Sequence, residues 1–176
     1  MHAKALLLLG SLLSGLTWTE HVLAFEDVWH AGGGLGAVNA SASDVGLGIG
    51  ANAYAAYGLN DMFDLKLDLA ASSHAVEVVS GASERYRVLT ATLGAAYKID
   101  IIEWIPYFGV HAGYMTSDLP EWIDMEAHGF LIGGMIGLDY AVTRSFGVGI
   151  VNRLHWPIEG SSLVDLFIRA EHRWGW

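Results

Sequence analysis

Leu163-Val164-Asp165-Leu166-Phe167-Ile168-Arg169-Ala170-Glu171-His172-Arg173-Trp174-Gly175-Trp176 is the stretch whose reading decides the fold. Val164, Leu166, Ile168, Ala170, Trp174 and Trp176 share one side of an extended chain, interrupted by His172. Asp165, Phe167, Arg169, Glu171 and Arg173 share the other. A period of two belongs to a β-strand, whose successive side chains point to opposite faces.

The same alternation recurs in seven earlier stretches: Val28–Val38, Val45–Gly58, Met62–Ser73, Arg85–Lys98, Pro106–Thr116, His128–Val142 and Ser145–Trp156. Phe63, Leu65, Leu67 and Leu69 oppose Asp64, Lys66 and Asp68. Phe130, Ile132, Ile136, Leu138 and Tyr140 oppose Gly133, Met135, Gly137 and Asp139. Phe146, Val148, Ile150, Leu154 and Trp156 oppose Gly147, Gly149, Arg153 and His155. Clusters of Gly, Ser, Asn and Asp separate the stretches, as turns do between strands. No linker or composition shift marks a second domain.

Hydrophobic residues make up 53% of the 176, which suits a membrane protein. Beyond the N-terminus, however, no apolar run approaches the ~18–20 residues of a spanning helix. Backbone exposed to lipid must satisfy its own hydrogen bonds, so strands can cross a membrane only as a closed barrel. The absence of cysteine excludes a disulfide scaffold and a thiolate metal site. A net charge of −10 without a basic stripe argues against nucleic acid as a partner. Met1–Ala24 reads as a signal peptide: Lys4 is its positive region, Ala5 to Leu16 its apolar core, and Val22-Leu23-Ala24 its cleavage site. The apolar core is too short to span. The mature chain, 25–176, is expected to begin at Phe25 as one barrel domain.

Alternation alone does not say which face points outward. A soluble barrel of the lipocalin kind would turn its apolar face inward. Two features predict the reverse. The polar face carries Gly32, Gly34, Gly36, Gly46, Gly48, Gly50, Gly109, Gly113, Gly147 and Gly149. Such residues weaken a water-facing strand but suit the crowded interior of a narrow barrel, where they make room for long Arg and Lys side chains. The apolar face also ends in aromatics. With the N-terminus on the periplasmic side, Trp29, Tyr57, Phe63, Tyr97, Phe108, Tyr140, Phe146 and Trp174 lie near the periplasmic rim, and Tyr114, Phe130 and Trp156 near the other. That is the girdle of a transmembrane barrel.

At this point the sequence resembles the OmpA/OmpX-like family of eight-stranded outer-membrane barrels. The residues that carry the resemblance are the signal peptide, the Gly-rich first strand at His30–Gly36, and the turn Tyr57-Gly58-Leu59-Asn60-Asp61. Trp104-Ile105-Pro106-Tyr107-Phe108-Gly109, where a strand restarts, and the C-terminal strand ending on an aromatic complete the set. Trp176 stands where Phe is commoner, and His172 is polar in the lipid-facing series. The resemblance implies export to the outer membrane of a Gram-negative bacterium. It also implies insertion by an assembly machinery that reads the last strand, and short periplasmic turns. No peptidoglycan-binding domain, of the kind some relatives carry, is expected after the barrel.

The ionisable residues of the lumen face are Asp64, Lys66, Asp68, Lys98, Asp139, Arg153, Asp165, Arg169, Glu171 and Arg173. Acids and bases are equal in number, so mutual pairing that plugs the barrel is expected. A conducting pore would favour spare charge of one sign. His30, His111 and His155 also face the lumen, on different strands and without the tight spacing of a metal pair, so no metal and no cofactor is expected. Lipid A deacylases are barrels of this size, and resemblance to them would require a His-x-Ser pair. No histidine has Ser two positions later; His155-Trp156-Pro157 has Pro there. The segment 117–128, with Asp118, Glu121, Asp124 and Glu126 around Trp122, reads as a solvated acidic loop rather than an ordered cation loop. Arg85 and Arg87, at the outer end of the fourth stretch, are candidates for contact with lipopolysaccharide phosphates. The sequence thus predicts a monomeric, non-enzymatic outer-membrane barrel with a plugged, charge-paired lumen, serving envelope integrity or surface interaction. A narrow, porin-like channel for small solutes is the alternative, and a lipid A-modifying barrel enzyme a more distant one.

Overall fold

A computed structural model describes residues 27–42, 45–77, 83–99, 103–118 and 128–175. Eight strands follow in chain order: β1 (Trp29–Ala40), β2 (Gly48–Gly58), β3 (Phe63–Glu77), β4 (Ser83–Lys98), β5 (Trp104–Ser117), β6 (His128–Ala141), β7 (Phe146–Pro157) and β8 (Leu163–Trp174). Each pairs antiparallel with its neighbours in sequence, and β8 pairs with β1, so the sheet closes into an up-and-down barrel. Closure leaves no unpaired edge, which is the condition for a sheet to sit in lipid. The signal peptide and Glu121, Trp122, Asp124, Glu126 and Trp176 lie outside the described residues.

The connections β2–β3, β4–β5 and β6–β7 lie at the end of the barrel that carries both termini, here the turn end; the other four lie at the loop end. At the β2–β3 turn the Asn60 side-chain oxygen accepts hydrogen bonds from the Met62 and Phe63 N–H groups, each 2.9 Å. This is the local chemistry that lets Asn close a turn. In the β7–β8 connection Gly160 adopts φ 82°, open to a residue without Cβ.

The strands differ from the sequence reading at their ends. β5 begins at Trp104 rather than Pro106; Pro106 lacks an N–H but sits near the strand start, where a missing donor is tolerated. β3 continues past Ser73 to Glu77, and β4 starts at Ser83 rather than Arg85. β2 begins at Gly48, and Val45 makes only an isolated bridge to Val76.

The outer surface is apolar. Leu35 is 70% exposed, Ile49 79% and Ile168 70%, side chains that water would reject but lipid accommodates. At the turn end the aromatics touch in sequence round the wall. Trp29 meets Tyr57, Tyr97 lies between Phe63 and Phe108, and Trp104 meets Tyr140, at centroid separations from 4.8 to 5.4 Å. Trp104, absent from the girdle expected from sequence, joins it because β5 starts earlier. His172 belongs to this belt as well, stacked on Trp174 at 5.9 Å, a level where a polar ring meets the wet interface. The chain is therefore a transmembrane β-barrel.

Candidate functional site: the lumen

All ten ionisable residues singled out on the polar face are buried inside the barrel. Cross-strand register brings some together, and the narrowness of the lumen brings the rest. Near the turn end Lys98 Nζ lies 2.6 Å from Asp64, and Arg173 binds Glu171. Glu171 also accepts the Tyr54 hydroxyl at 2.6 Å and lies 3.7 Å from His30. Arg169 reaches across from β8 to Asp139 on β6 with two hydrogen bonds, 2.6 and 3.2 Å. Its guanidinium lies against the rings of Tyr54 and Tyr107, at 4.5 and 4.9 Å.

Farther from the turn end Arg153 serves two carboxylates. It holds Asp165, its register partner, through Nε and Nη2 at 3.0 and 2.8 Å, and it also binds Asp68. Asn52 donates to Asp68 at 3.2 Å. His155 contacts Asp165 at 3.0 Å and His111 at 3.0 Å, so a polar chain runs from His111 to Asn52.

Lys66 differs from the other nine. Among the described residues no carboxylate lies within ion-pair distance of its ammonium, which sits 4.9 and 4.7 Å from the Tyr54 and Tyr107 ring centroids. Mutual pairing of all ten was expected; at this position Lys98 and Arg169 already hold the nearest acids, Asp64 and Asp139, and aromatic faces take their place.

Toward the loop end the lumen is largely apolar: Val38, Val76, Val88, Met115, Leu131 and Leu163 form a packed layer, with Val76 and Met115 wholly buried, while Phe167, equally buried, lies between Asp165 and Arg169 on β8. Sequence reasoning missed this layer, although every member falls on the lumen side of its strand.

It also missed His74, because the third stretch was ended at Ser73. His74 lies inside, 2.9 Å from Ser72 Oγ, with its Nδ1 3.1 Å from the Gly46 carbonyl oxygen. A serine–histidine contact therefore exists, in the order Ser-x-His, where no nucleophile and base at usable spacing were expected. Its histidine is oriented by a carbonyl rather than a carboxylate and is 0% exposed.

The glycines act differently from expectation. A Cβ on Gly147 would lie 2.8 Å from the Arg173 guanidinium, as expected of a residue that admits a long cation. Gly137 and Gly133 instead leave space for the Tyr107 and His111 rings, and Gly48 for His74.

Arg85 and Arg87 are exposed on the outward side of β4 at the loop end. The Arg87 backbone N–H donates to the Asp118 carboxylate, and Asp118 N–H returns a bond of 3.1 Å to the Arg87 carbonyl. This fixes the start of the acidic loop onto β4.

No protein-family model and no curated protein matches the sequence. Solved structures do match. The outer membrane protein OprG from Pseudomonas aeruginosa superposes with a TM-score of 0.67 at 13% identity, over 86% of this chain and 98% of that one. Neisserial surface protein A gives 0.68 at 17%, over 84% and 99%. Ail, the attachment invasion locus protein of Yersinia pestis, gives 0.57 at 13%, over 85% and 99%, and has also been crystallised with the heparin analogue sucrose octasulfate. The architecture is thus that of small outer-membrane barrels. Within that class it is the OmpA/OmpX-like fold of eight strands.

Proposed function

We propose that this chain is a non-enzymatic protein of the Gram-negative outer membrane whose lumen is closed, and that it serves envelope integrity or surface interaction. Met1–Ala24 is removed on export, the assembly machinery reads β8, and the turn end faces the periplasm. The barrel acts as a monomer without a cofactor. Arg85 and Arg87, side by side on the outward face of β4, meet lipopolysaccharide phosphates. Charge-assisted contact with phosphate favours arginine, and the crystallised complex of Ail with a sulfated sugar is the precedent for an anionic ligand on this fold.

The observation that carries the reading is the filling of the lumen by two unlike layers. Arg153 and Arg169 with their carboxylates occupy one, and Met115, Leu131 and Leu163 the other, all nearly or wholly buried. Eight strands leave an interior just wide enough for side chains. The buried setting of Ser72 and His74 speaks against catalysis. Planar-bilayer recording of the purified protein tests the proposal: no steady conductance is expected, and stable ion-selective openings would replace it with the channel reading.

A further inference from the structure

Two imidazoles touch inside the barrel, from strands that are not neighbours. His111 on β5 and His155 on β7 share one register partner on the strand between them, Gly133 of β6. A Cβ on Gly133 would collide with the His111 ring, so a residue without a side chain lets the rings meet. His111 Nε2 lies 3.0 Å from His155 Nδ1, and His155 Nε2 lies 3.0 Å from Asp165. Both rings are buried. Arg153 on β7 binds Asp165 on β8 and Asp68 on β3 beside the pair. His74 on β3 stands one step away, through Ser72, which lines a small cavity with His155. The other register partners of the two rings, Gly94 on β4 and Leu163 on β8, are uncharged.

The hydrogens of the pair can be counted. An ionised carboxylate only accepts, so His155 Nε2 carries one. The contact between the rings holds a second, on one of its two nitrogens. That leaves His111 Nδ1, which is buried and has no partner among the described residues. Any third hydrogen ends there, where no acceptor receives it, at a cost in free energy. A fourth would set N–H against N–H and part the rings. In the unfolded chain both rings take up their extra hydrogen near about pH 6.5.

We propose that the His111–His155 contact is an acid-sensitive cross-tie of the lumen, which joins β5 to β7 only while the pair is neutral. The folded pair resists protons that the unfolded chain accepts. Its contribution to stability is therefore complete above about pH 7.5 and declines as the pH falls through the ordinary histidine range.

Urea unfolding of the purified barrel in neutral detergent, between about pH 7.5 and about pH 5.5, tests this above the carboxylate range. The unfolding constant of the parent is expected to rise about tenfold or more over that interval. His111→Gln keeps a donor within reach of His155 Nδ1 and removes a titrating ring, so about tenfold of that rise should disappear. Nitrogen NMR of ring-labelled histidine reads the pair directly in the folded parent. At about pH 5.5, where a free imidazole is mostly protonated, it should show a coupling across the His111–His155 hydrogen bond and neither ring doubly protonated. The same pH dependence in parent and His111→Gln overturns the proposal. So does a doubly protonated His111 or His155 in the folded parent at that pH, and this result alone decides if His111→Gln does not fold.

Discussion

Arg153 on β7 and Asp165 on β8 are direct register partners, and the guanidinium meets the carboxylate through two of its nitrogens while also reaching Asp68 on β3. One cation thereby ties two adjacent strands to a third on another part of the wall. Removing it leaves two buried carboxylates, Asp165 with His155 and Asp68 with Asn52 as remaining partner.

Arg153→Ala is accordingly expected to destabilise the folded barrel by about 3–5 kcal/mol, the cost typical of stranding a buried counter-charge. Arg144→Ala, in the exposed β6–β7 turn, should change stability by less than about 0.5 kcal/mol. Urea unfolding in detergent micelles measures both. Equal stabilities would mean that water replaces the guanidinium at no cost.

The wall makes a second expectation. Leu67 is half exposed on the lipid side and pairs with Leu93 on β4, whereas Ala70 falls on the lumen side. Leu67→Arg should cost about 2–4 kcal/mol near the bilayer midplane, and Ala70→Ser much less. Folding yield into lipid vesicles checks the order, and a reversed order would invert the assignment of faces.

Breaking an ion pair should not open the barrel. In Arg169→Ala the apolar layer of Met115, Leu131 and Leu163 still lies toward the loop end, and an unwetted constriction blocks ions by itself. Bilayer recording of Arg169→Ala should show the same absence of steady current as the parent. Current in this variant alone would place the seal at the ion pair instead.

Gly137 lies beneath the Tyr107 ring, so that any Cβ there collides with the phenol. Gly137→Ala should force the ring aside and destabilise the barrel by about 1–3 kcal/mol, the range for overpacking. Pairing it with Tyr107→Ala should recover part of that loss. Unfolding midpoints of the two single variants and the double variant decide it, and additive losses would show that the ring is not what Gly137 accommodates.

Export gives a fifth expectation. The form found in the membrane should begin at or within a few residues of Phe25, because Val22-Leu23-Ala24 supplies the cleavage site. N-terminal sequencing reads this directly, and an intact Met1 would contradict it.

The wall was legible because strand alternation is strict: Phe63 to Leu69 and Val164 to Ile168 declare both faces without outside help. Strand ends were less so. Ser72-Ser73 is polar on both faces and reads as a stop, which hid His74, and Pro106 reads as a start, which hid Trp104 from the girdle. The partners inside were the least legible part. Parity says that Lys66 and Tyr107 point inward, but not at which height they meet across the lumen. That height depends on the stagger of strands around the closed barrel. Tyr54 lies on lumen parity and was open to the same reasoning.

The interior ties span long stretches of chain: Tyr54 on β2 to Glu171 on β8, Asp68 on β3 to Arg153 on β7, Asp139 on β6 to Arg169 on β8. The two that end on β8 cannot form until the last strand is in hand, so a nascent, open sheet keeps those groups hydrated on its concave side. Shedding that hydration shell and joining β8 to β1 must then coincide. Pairing of partners so distant in sequence is slow, and the rate-limiting event of biogenesis is therefore expected to be the final seam, with half-built intermediates remaining wet inside and susceptible to protease until it closes.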